Sequence, residues 1–220
     1  DGDADRCFVV DEKGGIVSPS TLTALIAERE LKKKPNSTII HNLITSRSVP
    51  ELVTELGGTP VRTRVGHSFI KATMAETGAI FGGEHSGHFY FADFWKADSG
   101  MLAAMHALAA LGETEKGETL SDLLKKYQRY VESGEINSKV ENPAGIVKAL
   151  RDEYSAKAGI TIDELDGLTV AGDSWWFNVR ASNTEPLLRL NAEAKTAEQV
   201  KQLTRSEEHT SELQSLRHIS

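Results

Sequence analysis

Short apolar segments rich in β-branched residues alternate with helical patterns over the first half of the chain. Strand-like runs at 38–40 and 59–61 flank helical spacing at 49–56, and an earlier helix opens at Ser18-Pro19-Ser20. Parallel strands need a crossover connection between them, and a helix usually supplies it. The alternation therefore predicts an α/β layered domain with a largely parallel sheet.

The second half of the chain follows a different pattern, and a polar segment precedes it. Residues 132–143 contain Gly134, Asn137 and Asn142 among few apolar side chains, which indicates a linker. The strand-like runs beyond it are 168–170, 175–179 and 187–190, and helical patterns cover 144–154 and 196–203. Strand hairpins with helices on one face predict a small α+β domain over residues 144–204.

The last sixteen residues, 205–220, continue no hydrophobic pattern of the preceding helix. They resemble the translation of a common sequencing-library adapter. We therefore expect an adapter-derived or disordered tail and exclude it from the fold.

A stripe of large apolar side chains lies in the predicted helix at 99–111. Met101, Leu102, Met105 and Leu108 form this stripe, which predicts that they face the core. Asp98-Ser99-Gly100 in front of them is interpreted as the N-terminal cap of this helix.

Composition excludes several classes of partner. A formal net charge of −7 over 220 residues argues against nucleic acid, since the phosphate backbone requires a basic face. No apolar run approaches the roughly 20 residues that span a bilayer, so we expect no membrane partner. The single cysteine, Cys7, cannot form an internal disulfide and fits a reducing compartment. We expect a cytoplasmic monomer.

The chain opens with a run of alternating carboxylates. Asp1, Asp3 and Asp5 in a tight loop can direct three hard oxygen ligands to one point, which suits Mg²⁺. Arg6 adds a planar donor group suited to phosphate. One alternative is an EF-hand with Glu12 as a further ligand, although Arg6 stands where that loop needs glycine. The other alternative is a solvated acidic turn.

A second polar motif is the glycine-flanked loop Gly83–His88. In an extended loop Glu84, Ser86 and His88 project to one side, where an acceptor and a hydroxyl suit the vicinal hydroxyls of a sugar. His88 could relay a proton or donate to phosphate. Two histidines near an acid also suggest zinc, but no third ligand is suitably spaced. A purely structural loop is the remaining alternative.

A third motif, Arg180–Pro186, joins two predicted strands. Arg180, Ser182, Asn183 and Thr184 combine a guanidinium, hydroxyls and an amide with successive backbone N–H groups, which is typical of an anion-binding nest.

A weaker cluster follows Gly66. His67 and Ser68 stand at a predicted helix N-terminus with Lys71 one turn on, a position that favours anions. An ordinary helix cap is the alternative interpretation.

In this order the motifs resemble those of the α-D-phosphohexomutase family, which includes bacterial phosphomannomutase/phosphoglucomutase. The resemblance covers residues 1–204. The metal loop of the family matches residues 1–6 with Ala4 in place of a frequent glycine, its sugar-specificity loop matches 83–88, and its phosphate loop matches 180–186. The stretch 66–71 also has a counterpart in the family.

The resemblance implies a fragment of a four-domain enzyme. Residues 1–17 would end the second domain, 18–131 would form an α/β third domain, and 144–204 a small α+β fourth domain. The implied reaction interconverts the 1-phosphate and 6-phosphate of mannose or glucose through an enzyme phosphoserine and a bisphosphorylated sugar. It is an intramolecular phosphotransfer, and therefore an isomerisation.

The resemblance also implies roles for the motif residues. Mg²⁺ would be held by Asp1, Asp3 and Asp5. Glu84 and Ser86 would recognise the sugar, and His67 would contact the substrate. Arg180, Ser182, Asn183 and Thr184 would hold the phosphate that is not reacting. His88 would assist proton transfer, and Arg6 would act beside the metal.

One departure from the family limits the expected activity. The phosphoserine loop of the family lies in the first domain, ahead of the metal loop with which this chain starts. We therefore expect that the 220 residues alone are inactive. A non-catalytic sugar-phosphate-binding module is the alternative function.

Overall fold

The chain divides into two structural units, Asp1–Arg129 (unit 1) and Tyr130–Ser220 (unit 2). The structure is a computed structural model, and it describes residues 2–3, 5–182 and 187–205. Among the residues it describes, no helix is long and apolar enough to cross a membrane.

Unit 1 is built from alternating strands and helices around a mixed sheet. Its elements are β1 Val9–Val10, β2 Ile16–Val17, α1 Pro19–Lys33, β3 Thr38–Asn42, α2 Ser48–Glu55, β4 Thr59–Thr63, α3 His67–Thr77, β5 Phe81–Gly83, β6 Phe89–Phe91, β7 Ala97–Asp98, α4 Gly100–Gly112, α5 Leu120–Leu124 and a 3₁₀ turn at Lys125–Tyr127. The main sheet has the order β4-β3-β5-β6-β7. Strand β3 pairs in parallel with β4 and β5, whereas β6 and β7 add antiparallel strands. The predicted α/β class is confirmed, whereas the sheet is mixed instead of largely parallel.

Helix α1 begins where its sequence predicts. The Ser18 side chain accepts a hydrogen bond from the backbone N–H of Ser20, and Pro19 occupies the first turn, where its missing N–H costs nothing. Leu25 and Ile26 are buried in the same apolar cluster as Phe81 of β5. The helix thereby covers one face of the sheet.

Helices α1 and α4 meet through small side chains. Ala24 and Ala27 of α1 share the apolar cluster with Ala103 and Ala107 of α4. The predicted core stripe is wrong for three of its four residues: Met101 is 70 % exposed, Met105 57 % and Leu108 69 %. Leu102 is partly buried and packs against the apolar cluster. The alanines have the same helical spacing as the large residues, and they let the two helices approach more closely.

Unit 2 is an antiparallel sheet with helices. Its elements are β8 Val131–Lys139, α6 Pro143–Ser155, β9 Thr161–Asp163, β10 Leu168–Ala171, β11 Trp175–Ala181 and β12 Leu187–Ala194, and residues 197–205 are helical. The sheet order is β8-β12-β11-β10-β9. Ile146 and Leu150 of α6 pack against Phe177 and Val179 of β11 in an apolar cluster. The predicted α+β class is confirmed.

The segment predicted as a linker, 132–143, is mostly strand. Strand β8 pairs along β12 at an edge of the unit 2 sheet, with Ile136 packed against the apolar cluster. An edge strand needs few apolar side chains, so its sequence is difficult to distinguish from that of a linker. Of the segment predicted as a tail, Arg205 ends the helix at 197–205, and 206–220 lie outside the described residues.

Close packing between β5 and α1 leads to a stability prediction. A Cβ added at Gly83 would overlap the side chain of Thr23, which is buried and donates its hydroxyl proton to Pro19 O at 2.8 Å. We expect Gly83→Ala to lower the free energy of unfolding of unit 1 by about 1–3 kcal/mol, measured by urea denaturation.

The matched control is Gly112→Ala at the end of α4. A Cβ at this position meets no atom within 4 Å, so the free energy of unfolding should be unchanged or slightly higher. An equal loss in both variants would contradict the packing argument.

Candidate functional site

A tight hairpin connects β5 to β6 and carries the predicted sugar-specificity loop. The Gly87 N–H donates to Glu84 O at 3.1 Å, and the Glu84 N–H donates to His88 O at 3.0 Å. Gly87 has a φ of +89°, a conformation that favours glycine. A Cβ there would lie 2.9 Å from the ring of Phe8. The glycine therefore determines the shape of the loop.

The predicted metal loop is attached directly to this hairpin. The Cys7 N–H donates to Gly87 O at 2.9 Å, and Arg6 forms an antiparallel bridge with His88. Asp5 Oδ1 lies 3.8 Å from His88 Nδ1. Residues that are about eighty positions apart in sequence are thus neighbours.

Glu84 lies at the base of the loop and is 1 % exposed. Its Oε1 accepts hydrogen bonds from the Gly66 N–H at 3.1 Å and from Asn42 Nδ2 at 3.3 Å. Its Oε2 accepts from the Tyr90 hydroxyl at 2.9 Å. Burial, and then the charge of Glu84, raise the pKa of Tyr90 well above its ordinary value, so the hydroxyl remains a donor. The carboxylate joins the loop to the end of β3 and the start of α3.

Beside Glu84, two histidines converge on Asp98. His88 Nδ1 lies 3.0 Å from Asp98 Oδ2, and His67 Nδ1 lies 3.4 Å from the same oxygen. Lys71 Nζ is 3.2 Å from Asp98 Oδ1. Burial alone would raise the pKa of Asp98, but hydrogen bonds from the backbone, Lys71 and His88 hold the pKa below its ordinary value. Asp98 therefore faces both imidazoles as a carboxylate.

Sequence reasoning missed Asp98 and Tyr90 as members of this site. The cap of α4 is formed by Ser99, whose hydroxyl accepts from the Leu102 N–H at 3.2 Å. Asp98 pairs across the sheet with Tyr90, so both side chains lie on the same face as His88, two residues before Tyr90. The period of two along β6 relates Tyr90 to His88, but the pairing with Asp98 has no sequence signal.

The metal loop offers oxygen ligands of different exposure. Asp5 Oδ1 is buried and accepts no hydrogen bond from any part of the chain that the structure describes. Asp3 is exposed, and Asp1 lies outside the described residues. A buried carboxylate oxygen without a donor suits a hard cation, so Asp3 and Asp5 fit Mg²⁺.

The EF-hand alternative does not fit the structure. Glu12 accepts a hydrogen bond from the Ser121 N–H at 3.1 Å, away from the aspartates. The residues after the loop form the β1–β2 hairpin instead of a helix. Arg6 is exposed in this hairpin region, and Ser86 is partly exposed in the neighbouring loop.

In unit 2, Arg180 lies within β11 instead of the following loop. Its Nη2 donates to Glu135 Oε2 at 2.7 Å, and Arg189 Nη1 lies 3.4 Å from Glu135 Oε1. Arg180 Nε is buried and has no hydrogen-bond acceptor among the described residues. The Ser182 N–H donates to Leu187 O at 2.8 Å, whereas Asn183 and Thr184 lie outside the described residues. Sequence reasoning missed Glu135 because its strand was interpreted as a linker.

Two family models match almost the whole chain. The phosphoglucomutase/phosphomannomutase α/β/α domain III matches residues 18–130, and the C-terminal domain of the same family matches residues 135–209. The chain belongs to the phosphoglucomutase/phosphomannomutase family. The predicted family and architecture are therefore confirmed, and the chain covers the C-terminal part of this architecture.

Relatives of the phosphoglucomutase/phosphomannomutase family extend the likeness over both units. A phosphomannomutase of Methanocaldococcus jannaschii is 42 % identical over 202 residues, which are 92 % of this chain and 44 % of the relative. The solved structure of a phosphoglucomutase/phosphomannomutase family protein of Burkholderia thailandensis has a TM-score of 0.81 at 30 % identity. The match covers 95 % of this chain and 44 % of the Burkholderia chain. The chain spans less than half the length of these relatives.

A more distant solved structure shares the fold alone. The N-acetylphosphoglucosamine mutase of Aspergillus fumigatus, solved in complex with GlcNAc-6P and magnesium, has a TM-score of 0.64 at 16 % identity. The likeness covers 96 % of this chain and 50 % of that protein.

The hydrogen bonds to Glu84 lead to a prediction for this phosphohexomutase domain. In Glu84→Gln, the side-chain amide NH₂ would face a donor, so a buried hydrogen bond is lost. We expect the free energy of unfolding of unit 1 to fall by about 1–3 kcal/mol, measured by urea denaturation. Asp93→Asn removes an exposed carboxylate that pairs with Lys34 and should cost less than about 1 kcal/mol. Equal effects would contradict the central position of Glu84.

Proposed function

We propose that the chain supplies the sugar-binding and phosphate-binding domains of a mutase that interconverts hexose 1-phosphate and hexose 6-phosphate. Family membership supports the reaction class, and a relative at 42 % identity is named phosphomannomutase. The observation that carries the proposal is the convergence in unit 1 of Glu84, His88 and His67 beside the metal loop. On the same template, residues 1–17 end the second domain.

Sugar recognition is proposed for the hairpin Gly83–His88. The hydroxyl of Ser86 and the ring of His67, which is 48 % exposed, are accessible to a ligand. Glu84 is held at the base of the loop with both oxygens in fixed directions. The 3.3 Å contact from Asn42 is the longest of its hydrogen bonds, and it is the one a sugar hydroxyl would replace. Acceptors in fixed positions would favour sugars whose hydroxyl groups point toward them.

Proton transfer is proposed for His88. Because Nδ1 of His88 lies against the Asp98 carboxylate, Nε2 is the atom that would exchange a proton with the sugar hydroxyl. Asp98 orients the ring through Nδ1, while Lys71 holds the other oxygen of Asp98. Asp98, Lys71 and Tyr90 would thus act by positioning the residues that contact the substrate.

The cation and the adjacent arginine would balance phosphate charge. Asp1, Asp3 and Asp5 would hold Mg²⁺, which when bound supplies positive charge to the transferring phosphoryl group. Arg6 adds a guanidinium beside the same loop.

In unit 2, the phosphate that is not reacting would bind at Arg180. Glu135 fixes the Nη2 side of the guanidinium, and the buried Nε is a donor that a phosphate oxygen would satisfy. Ser182, Asn183 and Thr184 follow directly in the chain and would add further donors.

Binding is tested by calorimetric titration of mannose 6-phosphate and glucose 6-phosphate into the chain with Mg²⁺. We expect micromolar affinity, and Arg180→Lys should weaken it about 10-fold or more because lysine lacks the planar pair of donors. Arg151→Lys, on the exposed side of α6, is the matched control and should leave the affinity unchanged. Equal affinities of the wild type and Arg180→Lys would contradict the phosphate assignment.

Catalysis by the 220 residues alone is expected to be absent, because the resemblance places the phosphoserine in another domain. Conversion of glucose 1-phosphate by the purified chain, in a coupled assay with Mg²⁺ and glucose 1,6-bisphosphate, would contradict this expectation. A fusion of the unmatched N-terminal part of the M. jannaschii relative ahead of Asp1 should be active. An inactive but folded fusion that binds the sugar phosphate would favour the alternative, a non-catalytic sugar-phosphate-binding module.

A further inference from the structure

His67, His88 and Asp98 form a compact set of potential metal ligands. They come from the start of α3, the residue before β6 and the end of β7, and their ligand atoms lie within 4.8 Å of one another. No spacing along the chain relates these three residues. The cluster exists because the sheet pairs β6 with β7 and because His67, the first residue of α3, lies with its ring centroid 4.1 Å from that of His88.

The two distances from Asp98 to the histidines are close to those in a tetrahedral zinc site. Zinc bonds of about 2.0–2.2 Å to nitrogen and oxygen separate tetrahedral ligand atoms by about 3.4 Å. Asp98 Oδ2 lies 3.4 Å from His67 Nδ1 and 3.0 Å from His88 Nδ1. A cation could therefore enter among these atoms with only small side-chain movements.

The surroundings leave the required atoms accessible to a cation. Lys71 binds Oδ1 of Asp98, so Oδ2 is the oxygen that faces the histidines. The Tyr90 hydroxyl, 2.9 Å from His67 Nδ1, has Glu84 Oε2 as its own acceptor. When a metal binds at Nδ1, each neutral imidazole carries its proton on Nε2, so no additional base is required.

A fourth potential ligand lies near the same nitrogen of His88. Asp5 Oδ1 is 3.8 Å from His88 Nδ1, is buried, and receives no hydrogen bond from the described residues. A buried carboxylate oxygen without a donor is costly unless a cation or water satisfies it. The same oxygen belongs to the predicted Mg²⁺ loop, so the two cations would compete for it.

We propose that His67, His88 and Asp98, with Asp5 of the Mg²⁺ loop as a fourth ligand, form a binding site for a first-row transition cation such as Zn²⁺. Imidazole nitrogens favour Zn²⁺ over Mg²⁺, which prefers oxygen ligands. The site shares Asp5 with the Mg²⁺ loop and uses His88, so occupancy by Zn²⁺ excludes both Mg²⁺ binding through Asp5 and proton transfer by His88. Inhibition of the mutase follows from this exclusion, and only that consequence rests on the proposed function.

The test titrates zinc chloride into the metal-free chain by calorimetry and records the visible spectrum with Co²⁺ in place of Zn²⁺. We expect a stoichiometric site and the intense visible bands of tetrahedral Co²⁺. His67→Gln and Asp98→Asn should each lower the Zn²⁺ affinity at least about 10-fold and remove those bands. His67 is 48 % exposed, so its replacement should leave the far-UV circular dichroism and the thermal midpoint unchanged.

Matched variants separate this site from other zinc ligands. His85→Gln changes a histidine of the same hairpin that contacts Ser20 instead of the cluster, and it should retain the Zn²⁺ affinity. Asp3→Asn should weaken Mg²⁺ binding and leave the Co²⁺ bands intact. Unchanged Zn²⁺ affinity in His67→Gln would overturn the proposal, as would an equal loss in Asp3→Asn. Titration of mannose 6-phosphate with Mg²⁺ and no zinc tests the proposed function separately.

Discussion

The buried Glu84 carboxylate is the interaction on which the arrangement of unit 1 depends. It receives hydrogen bonds from Asn42 at the end of β3, from the Gly66 N–H before α3, and from Tyr90 on β6. An ionised group at 1 % exposure requires such donors, since burial without them would cost several kcal/mol. The donors in turn fix the relative positions of three segments. The histidines of the site lie beside those segments.

Glycine has two separate functions at this hairpin. At Gly83 the missing side chain lets β5 pack directly against Thr23 of α1, and at Gly87 a positive φ closes the turn. The turn is also the point at which the Cys7 N–H meets the Gly87 carbonyl, so the same loop anchors the chain next to Asp5. The residues that allow close packing and the tight turn, Gly83 and Gly87, therefore belong to the same hairpin that carries Glu84 and His88.

Much of the fold could be predicted from periodicity, and the exceptions have a physical explanation. The α1 start follows from Ser18 and Pro19, which satisfy a local requirement for capping. Periodicity could not predict which face of α4 is buried, because two stripes have the same helical spacing. One contains Ala103, which is buried, and the other contains Met105, which is exposed. Only the approach of α1 favours the small residues. Strand β8 was interpreted as a linker because an edge strand obtains its stability from pairing with β12.

By itself the sequence determined the family, the order of the three motifs and the chemistry that each can offer. The reason is that the functional groups of a loop such as Gly83–His88 are contiguous in the sequence. Only the tertiary structure decided which groups meet. Asp98 reached His88 through the pairing of β6 with β7, and Glu135 reached Arg180 across β12. Sheet register sets such contacts between residues far apart in the chain, and no local pattern records it.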